Sequence, residues 1–575
     1  MDERSSIHFP TISGELPDFD PVTHEILNGK LLAIVDEMAI VMTRTSMSPV
    51  IYEVLDFACG ICNKDGDLIA QTNGITLFTG TFGVQVKSVI DAFGDTLAPG
   101  DVIVTNDPFS GGTHACDFAI VRPIFSGSRI IAFAINIAHW LDVGGAIPGS
   151  LPPNANSVFQ EGLRLPCIRI ARDDVVIEDI LKIIRGNVRL PEMAIGDFNA
   201  QLATVRIADR RVSEIISRYG AETLELTFRT LLDESERQAR AVVAALPDGV
   251  YNAVDVIDDD GVGGDPIKVQ VTVRIHGDEL EVDFTGCPTA AAGPINCARG
   301  ALNSAVKTIF KALVSPHEPS NEGWFRPLKV IAPAGTIFTA EMPSPTGWYY
   351  EGSVHASELV WKALAPIVPD HFSAGSYTSL CVTYISGRDA SGDLFVHIEP
   401  EHGGWGGCND RDGASGLIAL TDGDTYNYSI ELLEAKFPLL VRRYALNTDG
   451  GVGAGRYRGG YGLVREYEIC TDDAEIYCGF GRTDTPPWPM EDGQPGSVNY
   501  LEVLDKGGLT ERLGRSPTRA VRRGDVVRIV TGGGGGWGAP SERSVDAIAS
   551  DVCNGLITLE KAQKLYPHFS TARAN

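Results

Sequence analysis

Glycine is the residue type that most restricts how this chain can fold. The sequence has 63 glycines in 575 residues, and many of them fall in four short clusters. The clusters are GGAIPGS (144–150), GGWGG (403–407), GGVGAGRYRGGYG (450–462) and GGGGGWG (532–538). Apolar, strand-like runs flank them, as VVRIV does before Thr531, whereas low-complexity linkers lose such runs. We therefore predict tight turns and close backbone approaches rather than flexible linkers.

The N-terminal part shows the periodicity of helices and of antiparallel strands. A helix should begin at Pro21, capped by Asp20, and residues 57–70 should form a hairpin around a Lys-Asp-Gly turn. Two strands, DVIVT and RIIAFAINIA, lie within residues 101–140 with a polar loop between them. The apolar face of the first helix is expected to consist of Val22, Ile26, Leu31, Ile34, Val35, Met38 and Met42.

The rest of the chain changes from helical to strand-like patterns. Helical periodicity covers about 176–219 and resumes after Gly220 to about 245. Residues 250–286 alternate apolar and polar side chains, which predicts antiparallel strands with one wet face. Short strands and glycine turns follow after about 375. Two helical pieces are expected near 544–554 and 558–565.

This mixture predicts an α+β fold with mixed sheets, a helical middle segment and a β-rich, glycine-rich C-terminal part. A chain of 575 residues should contain more than one structural region. We expect an N-terminal tail (1–20), an α/β region with the presumed metal site (21–249), an antiparallel β plus helix region (250–374), a glycine-rich β region (375–540) and a C-terminal helical tail (541–575).

Charge and cysteine content narrow the function. The net charge is 48 − 75 = −27, so the chain should repel nucleic acid and anionic membranes. No apolar run is long enough to cross a bilayer, and the N-terminus MDERSSIHFP lacks the apolar segment of a secretory signal. The 11 cysteines, an odd number spread over a long chain, are typical of reduced thiols. Together these features predict a cytoplasmic protein.

The densest polar segments are NDPFSGGTHACD (106–117) and NIAHWLDVGG (136–145). A glycine-rich turn would let His114 and Asp117 point at one centre, and an apolar strand would deliver His139 to it. Two imidazoles and one carboxylate with open coordination positions form a common catalytic metal set, suited to manganese, zinc or ferrous iron. The alternative is that these are unrelated turn and strand-end residues.

Three aspartates are further candidates. Asp142 is a natural partner for His139, either orienting its ring or binding its second nitrogen. Asp56 precedes a strand and is either a catalytic carboxylate or a cap. Asp107, in an Asn-Asp-Pro sequence, fits a turn former better than a catalytic group.

Other motifs point to structure more than to chemistry. Cys59 and Cys62 form a single C-x-x-C in strand-like surroundings, which favours buried core over a zinc ribbon. Glu401 and His402, beside a glycine turn, would either line an active-site wall or only build the turn. The cluster at 532–538 lacks the lysine and hydroxyl residue of a phosphate-binding loop, and no such motif occurs in the chain, so we predict no nucleotide binding by this chain alone.

Several segments, in order, resemble the hydantoinase B family. This family includes the B subunits of N-methylhydantoinase, the matching half of ATP-dependent 5-oxoprolinase, caprolactamase beta and the acetone carboxylase alpha subunit. The resemblance spans about residues 21–540. It rests on DPVTHEILNGKL, VTNDPFSGGTHACD, AHWLDVGGAIPGS, FQEGLRLP, GPINCARGA, NEGWFRPLKVIAP, EHGGWGG, GAGRYRGGYG and TGGGGGWGAP.

The resemblance implies a subunit of a two-component enzyme, paired with an A-type chain that binds and hydrolyses ATP with magnesium, in a hetero-oligomer such as α2β2. The manganese site of the acetone carboxylase relatives aligns with His114, Asp117 and His139. The implied reaction is ATP-dependent opening of a cyclic amide (hydantoin, 5-oxoproline or lactam), with Asp142 or Asp56 orienting or deprotonating water. The alternatives are ATP-dependent carboxylation of a ketone and a non-catalytic structural subunit.

This chain departs from the family pattern in three segments. Many relatives have Glu-Arg-Arg-Asp where this chain has Glu53-Val54-Leu55-Asp56. Many also have a histidine-containing loop where this chain reads TNGITLFTGTFG, and His-His-Ala-Asp becomes His139-Trp140-Leu141-Asp142. We expect these changes to surround the pocket and to alter the substrate.

Overall fold

Seven strands near the N-terminus form the sheet that carries most of the predicted site. The computed structural model describes residues 20–508 and 510–569. Residues 1–19 of the predicted N-terminal tail (1–20) therefore lie outside the described residues. The strands are β1 (Phe57–Asn63), β2 (Leu68–Gln71), β3 (Val102–Thr105), β4 (Asp117–Ser126), β5 (Arg129–His139), β6 (Ile168–Arg172) and β7 (Val175–Val176). Their order across the sheet is β2-β1-β5-β4-β3-β6-β7. The hairpin predicted over 57–70 is confirmed as β1 and β2.

Strand β4 was missed by the sequence prediction, which assigned the whole stretch between β3 and β5 to a loop. Its residues after Asp117 are nearly all buried, so no polar alternation marks it as a strand. Pro123 inside the run also reads as a strand breaker. The consequence is that Asp117 is the first residue of a central strand rather than part of a turn.

The first helix begins where predicted. It is α1 (Pro21–Thr45), and the Asp20 carboxylate accepts hydrogen bonds from the backbone N–H groups of residues 22 and 23. Val22 and Ile26 were wrongly placed on its buried face, since their exposed fractions are 66% and 43%. At about 100° per residue they lie roughly 180° and 140° from Leu31, on the far side of the helix. The next helices are α2 (Pro49–Tyr52), α3 (Thr76–Thr79) and α4 (Phe82–Phe93).

The helical middle segment is confirmed, with one correction. The single stretch predicted over 176–219 is two helices, α5 (Glu178–Asn187) and α6 (Pro191–Tyr219). Pro191 occupies the first turn of α6 and disfavours helical geometry in the residue before it, so the chain breaks there. Helix α7 (Ala221–Ala244) follows Gly220, which has φ +87°. Helix α6 packs on β4 and β5, beside α1.

A second sheet and two helices follow. The strands are β8 (Gly249–Ile257), β9 (Ile267–His276), β10 (Glu279–Asp283) and β11 (Leu328–Ile331), with helices α8 (Arg299–Val314) and α9 (Tyr349–Leu364). The order is β11-β10-β9-β8, with β8 to β10 antiparallel and β11 parallel to β10. Alternating burial along β8 and β9 confirms the predicted wet face. Helix α9 is almost entirely buried against this sheet and α8.

The glycine-rich part builds two more sheets. It contains β12 (Val382–Arg388), β13 (Leu394–Glu399), α10 (Ile430–Lys436), β14 (Leu439–Leu446), β15 (Leu463–Ile469), β16 (Ala474–Gly479), β17 (Tyr500–Leu504), β18 (Thr510–Leu513), β19 (Arg515–Val521) and β20 (Val526–Val530). The orders are β13-β12-β16-β19 and β14-β15-β20-β17-β18. Short 3-10 helices are Gly94–Thr96, Pro108–Ser110, Val158–Gln160, Glu322–Phe325 and Pro540–Glu542.

The two predicted C-terminal helical pieces are α11 (Val545–Cys553) and α12 (Leu559–Leu565). The last residues of the predicted helical tail, 570–575, lie outside the described chain. One continuous hydrophobic core extends through all four sheets, and the domain boundaries near 250 and 375 stay predictions. Among the described residues, no helix is both long and apolar enough to span a bilayer.

Three of the four glycine clusters pack against each other. The N–H of Gly460 donates to the carbonyl of Trp405, and the N–H of Gly534 donates to the carbonyl of Gly460. A Cβ atom at Gly460 would lie 1.8 Å from the carbonyl oxygen of Ala414, and one at Gly404 would lie 2.1 Å from that of Gly460. The predicted close backbone approaches are therefore contacts between clusters that are distant in sequence.

We predict that Gly460→Ala destabilises the protein by at least about 1–3 kcal/mol, because its Cβ would collide with backbone that cannot rotate away. Gly29→Ala is the matched control. It lies within α1 with no atom near its Cβ position, so it should be neutral or stabilise by up to about 1 kcal/mol. Urea unfolding followed by circular dichroism measures both. Equal midpoints for the two variants would contradict the packing of the clusters.

Candidate metal centre

Three neighbouring strands of the first sheet bring the predicted site residues to one edge. Asp56 directly precedes β1, His139 ends β5, and Asp117 begins β4. In the antiparallel register Asp117 pairs with His139, and the backbone N–H of His139 donates to the carbonyl of Asp56 at 3.1 Å. The side chains of His114, Asp117 and His139 converge and are buried, so the structure brings together the three residues predicted as ligands.

His114 reaches the cluster from the turn that precedes β4. Its Nδ1 lies 2.8 Å from the carbonyl oxygen of Gly347, just before α9. A carbonyl can only accept, so Nδ1 carries the proton and Nε2 faces the cluster with its lone pair. The buried carboxylate of Glu161 holds that peptide segment by accepting from the backbone N–H groups of Thr346 and Gly347. This support orients the His114 ring as a ligand requires.

The three facing atoms form a nearly equilateral triangle. His114 Nε2 lies 3.0 Å from Asp117 Oδ1, His139 Nδ1 lies 3.1 Å from the same oxygen, and the two nitrogens are 3.2 Å apart. Ligand atoms that share one ion at about 2.0–2.2 Å, with angles near 90–110°, are roughly 2.8–3.6 Å apart. The donor set and its spacing therefore fit a divalent cation.

The electrostatics of the site also favour a cation. Burial opposes ionisation of Asp117, but the charges and hydrogen bonds of the two imidazoles outweigh it and lower the pKa of that carboxyl. The pKa of Asp56 is raised to about 6. Burial and the charge of Asp117 raise it, and the two imidazoles partly offset that increase. Burial and the Asp56 charge raise the pKa of Asp422 well above its usual range. Three carboxyl groups thus share one buried space, and a cation would relieve their repulsion.

These groups line a small cavity between the first sheet, α9 and the third sheet. Its volume is about 40 Å³, room for a few water-sized groups and far less than a nucleotide needs. The apolar part of its wall consists of Val50, Ile75, Phe78, Leu151, Leu380, Val382, Ile398 and Pro400. The arrangement can hold an ion and one small substrate group away from bulk water.

Asp142 is placed differently from the sequence expectation. Its carboxylate accepts from the backbone of Gly144 and Gly149, from the Ser150 hydroxyl and from Arg189, with Arg189 Nη1 at 2.9 Å. Through these hydrogen bonds Asp142 holds the glycine loop after β5. Asp142 is not among the described residues that line the cavity. Asp56, by contrast, does line it.

The structure also decides the roles of two other predicted groups. The Asp107 carboxylate accepts from the N–H of Phe109 and the hydroxyl of Ser110, which confirms a turn former. Cys59 and Cys62 are fully buried in β1, which confirms them as core, and burial raises the pKa of the Cys59 thiol to about 12.

Pro400 is part of the cavity wall, whereas the next two residues in the sequence, Glu401 and His402, do not line the cavity. Glu401 is fully buried, and its Oε1 accepts from the Tyr467 hydroxyl at 3.3 Å. Burial raises the pKa of Glu401 to about 8, with Arg465 opposing and Glu399 adding to the increase. We predicted that Glu401 and His402 either line an active-site wall or only build the turn. The first alternative does not hold, because neither residue is among the described residues that line the cavity.

Sequence reasoning missed Asp422, Tyr349 and Glu161. Asp422 sits in a Thr-Asp-Gly-Asp segment that is typical of an exposed turn, although its exposed fraction is only 5%. The Tyr349 ring packs on His114 with 5.0 Å between centroids. Glu161 is fully buried, and the only sequence signal for it was its place in one of the family-like segments, FQEGLRLP.

Comparisons with known proteins support the family resemblance found in the sequence. The family model described as Hydantoinase B/oxoprolinase matches residues 20–540. A protein of Pseudomonas sp. strain NS671, named as the B component of a D-/L-hydantoinase, is 32% identical over 569 residues, covering 96% of this chain and 95% of its own. The chain therefore belongs to the hydantoinase B/oxoprolinase family.

Two solved structures share the fold. The ATP-dependent caprolactamase from Pseudomonas jessenii superimposes with a TM-score of 0.91 at 26% identity, covering 97% of this chain and 98% of its own. A nucleotide-free acetone carboxylase superimposes with a TM-score of 0.88 at 18% identity, covering 95% of this chain and 79% of its own, which shows the fold alone.

We predict that the purified protein holds about one manganese, zinc or iron ion per chain. His114→Ala and His139→Ala should each weaken binding at least about 100-fold, because each removes one of three buried ligands. Elemental analysis after dialysis measures the stoichiometry. His276→Ala, at a side chain that is 97% exposed, is the control and should retain the metal. Full occupancy in both cluster variants would rule out this site.

Proposed function

We propose that this chain is the metal-binding subunit of a two-component, ATP-dependent enzyme that opens cyclic amides, with ATP handled by an A-type partner. The supporting observation is the buried His114, Asp117 and His139 cluster at a small, mostly apolar cavity. Family membership and the similarity to an ATP-dependent caprolactamase supply the reaction class. ATP is assigned to the partner because the sequence of this chain contains no phosphate-binding lysine loop and because the resemblance implies an A-type chain.

An amide carbon is a poor electrophile, which explains the need for ATP. Transfer of the γ-phosphoryl group to the amide oxygen, within the partner, would release ADP and create a good leaving group. Addition of a first water at that carbon and cleavage of the C–N bond would then give a ring-opened amine that carries an acyl phosphate. A second water would displace phosphate from the acyl carbon and leave the ring-opened amino acid. A divalent ion, when bound, supplies Lewis acidity that stabilises negative charge developing on oxygen.

The residues of this chain take distinct parts in the proposal. The three ligands hold the ion, and Gly347 fixes the ring of His114. Asp56 lines the cavity beside the ligands. Its carboxylate would accept the proton of the attacking water and pass it on to the departing nitrogen. Asp142 acts at a distance by holding the loop after β5.

The proposed setting follows from the reaction. An ATP-consuming enzyme whose cysteines all remain free belongs in the cytoplasm. The partner would join this chain in a hetero-oligomer such as α2β2. That complex would act on small-molecule substrates.

We expect the co-purified complex to consume ATP when a cyclic amide is added, with the ring-opened acid as product. The isolated chain should hydrolyse no ATP, because its sequence lacks a phosphate-binding lysine loop. His139→Ala should lower kcat/KM of the complex at least about 100-fold, and His276→Ala should not. ADP or AMP release and product mass measure these outcomes. Labelled bicarbonate recovered as a carboxylate in the product would instead indicate a ketone carboxylase.

Substitutions of the two aspartates that are candidates for proton transfer should have different effects on catalysis and on stability. Asp56→Asn should lower kcat about 100-fold or more with metal retained, because an amide cannot accept the proton. Asp142→Asn should lower the thermal unfolding midpoint, because it weakens the pairing with Arg189, and change kcat less than about fivefold. Steady-state kinetics and calorimetry on both variants provide the comparison. The reverse pattern would assign the chemistry to Asp142.

A further inference from the structure

Two tyrosines in the cavity wall have hydroxyl groups that the fold leaves unused. Tyr350, in the first turn of α9, and Tyr384, on β12, both line the cavity. Each hydroxyl oxygen is buried and has no hydrogen-bond partner among the described residues. A buried donor without a partner costs about 1–3 kcal/mol. Such a cost is tolerated where a ligand supplies the missing partner.

Among the tyrosines that the structure describes, only these two have a buried hydroxyl without a partner, and the neighbouring Tyr477 differs from them. Its ring stacks on that of Tyr384 with 4.4 Å between centroids and an angle of 12°. Tyr477 does not line the cavity, and its hydroxyl donates to the carbonyl of Pro148 at 2.6 Å. The fold therefore satisfies the tyrosine hydroxyl that faces protein and leaves those of Tyr350 and Tyr384 without a partner.

The charges of the cavity restrict what can bind beside these hydroxyls. Asp56, Asp117 and Asp422 all line it, and none of the described lining residues is a lysine or an arginine. The guanidinium of Arg515 packs over the ring of Trp348 and is not part of the lining. A substrate carboxylate placed here would therefore find no cationic side chain among the described lining residues to pair with.

We propose that Tyr350 and Tyr384 are specificity residues that donate hydrogen bonds to the oxygen of a small, uncharged substrate, and that a lining without lysine or arginine disfavours rings bearing a carboxylate. The inference rests on the proposed function and narrows its substrate class to neutral cyclic amides with an apolar ring. The apolar wall, with Val382 two residues from Tyr384 on the same face of β12, accommodates the ring carbons. Because burial raises the pKa of both phenols well above the usual range, they remain protonated donors.

A matched pair of compounds tests the charge selection. 2-Pyrrolidinone and 5-oxoproline share one lactam ring and differ by a single carboxylate. Manganese bound at the cluster would shorten the proton relaxation times of any ring held in the cavity, so NMR relaxation of each compound with the manganese-loaded full chain reports binding without turnover. We expect 2-pyrrolidinone to bind at least about tenfold more tightly than 5-oxoproline.

Phenylalanine variants test the hydroxyls. Tyr350→Phe and Tyr384→Phe should each weaken 2-pyrrolidinone binding by about three- to tenfold, the loss of one neutral hydrogen bond, with manganese stoichiometry unchanged. Tyr477→Phe removes an equally buried hydroxyl of the same sheet and should leave ligand affinity as it is.

The outcomes separate this inference from the proposed function. Equal or tighter binding of 5-oxoproline, or unchanged affinity in both cavity variants, would overturn the inference whatever the complex catalyses. Selective binding of 2-pyrrolidinone that depends on the two hydroxyls would support it. Absence of ATP-dependent ring opening in the complex would contradict the proposed function, and the relaxation measurement would still decide the role of the tyrosines.

Discussion

The pairing of β5 with its two neighbours is the interaction on which the site depends. Strand β5 lies between β1 and β4, and its last residue, His139, is held by backbone pairing to Asp56 on one side and opposite Asp117 on the other. A slip of one residue would turn the side chain of His139 to the other face of the sheet. Asp117 and His139 are therefore fixed by the pairing of central strands, which would suit a site that holds an ion in fixed geometry.

The same arrangement brings several carboxyl groups together in one buried space, where a bound cation would lower their mutual repulsion. Asp56, Asp117 and Asp422 share a buried space with two imidazoles, and burial alone raises the pKa of carboxyl groups there. An ion bound at the cluster would offset that repulsion, so we expect metal binding to increase folding stability. The apolar wall of the cavity strengthens each of these interactions by excluding water.

Local pattern in the sequence predicted much of the fold. Helix α1, helix α7, the β1–β2 hairpin and the strands after residue 250 all have clear periodicity or capping signals, and the α+β class followed from their order. Strand β4 was missed because burial on both faces removes alternation. The glycine clusters predicted close approaches, but contacts such as that between Gly460 and Gly404 join segments far apart in sequence and could only be seen in three dimensions.

The same distinction applies to the site. His114, Asp117 and His139 lie within 26 residues, so their motif and the family resemblance were enough to predict that they meet. Asp422 comes from the loop between β13 and α10, and the two cavity tyrosines come from α9 and β12. Their segments resemble an ordinary turn and ordinary core. Of the segments that depart from the family pattern, Asp56, Ile75 and Phe78 do line the cavity. Trp140 instead packs away from it, stacked on Phe118 and hydrogen-bonded to Gln201.

The central claim is that the cluster on the first sheet holds a divalent cation. Crystals of the metal-loaded protein, with diffraction data collected on either side of the metal's absorption edge, test it most directly. The account predicts one strong anomalous peak per chain, within about 2.3 Å of His114 Nε2, His139 Nδ1 and Asp117 Oδ1. Absence of a peak there, with the metal bound elsewhere on the chain, would contradict it.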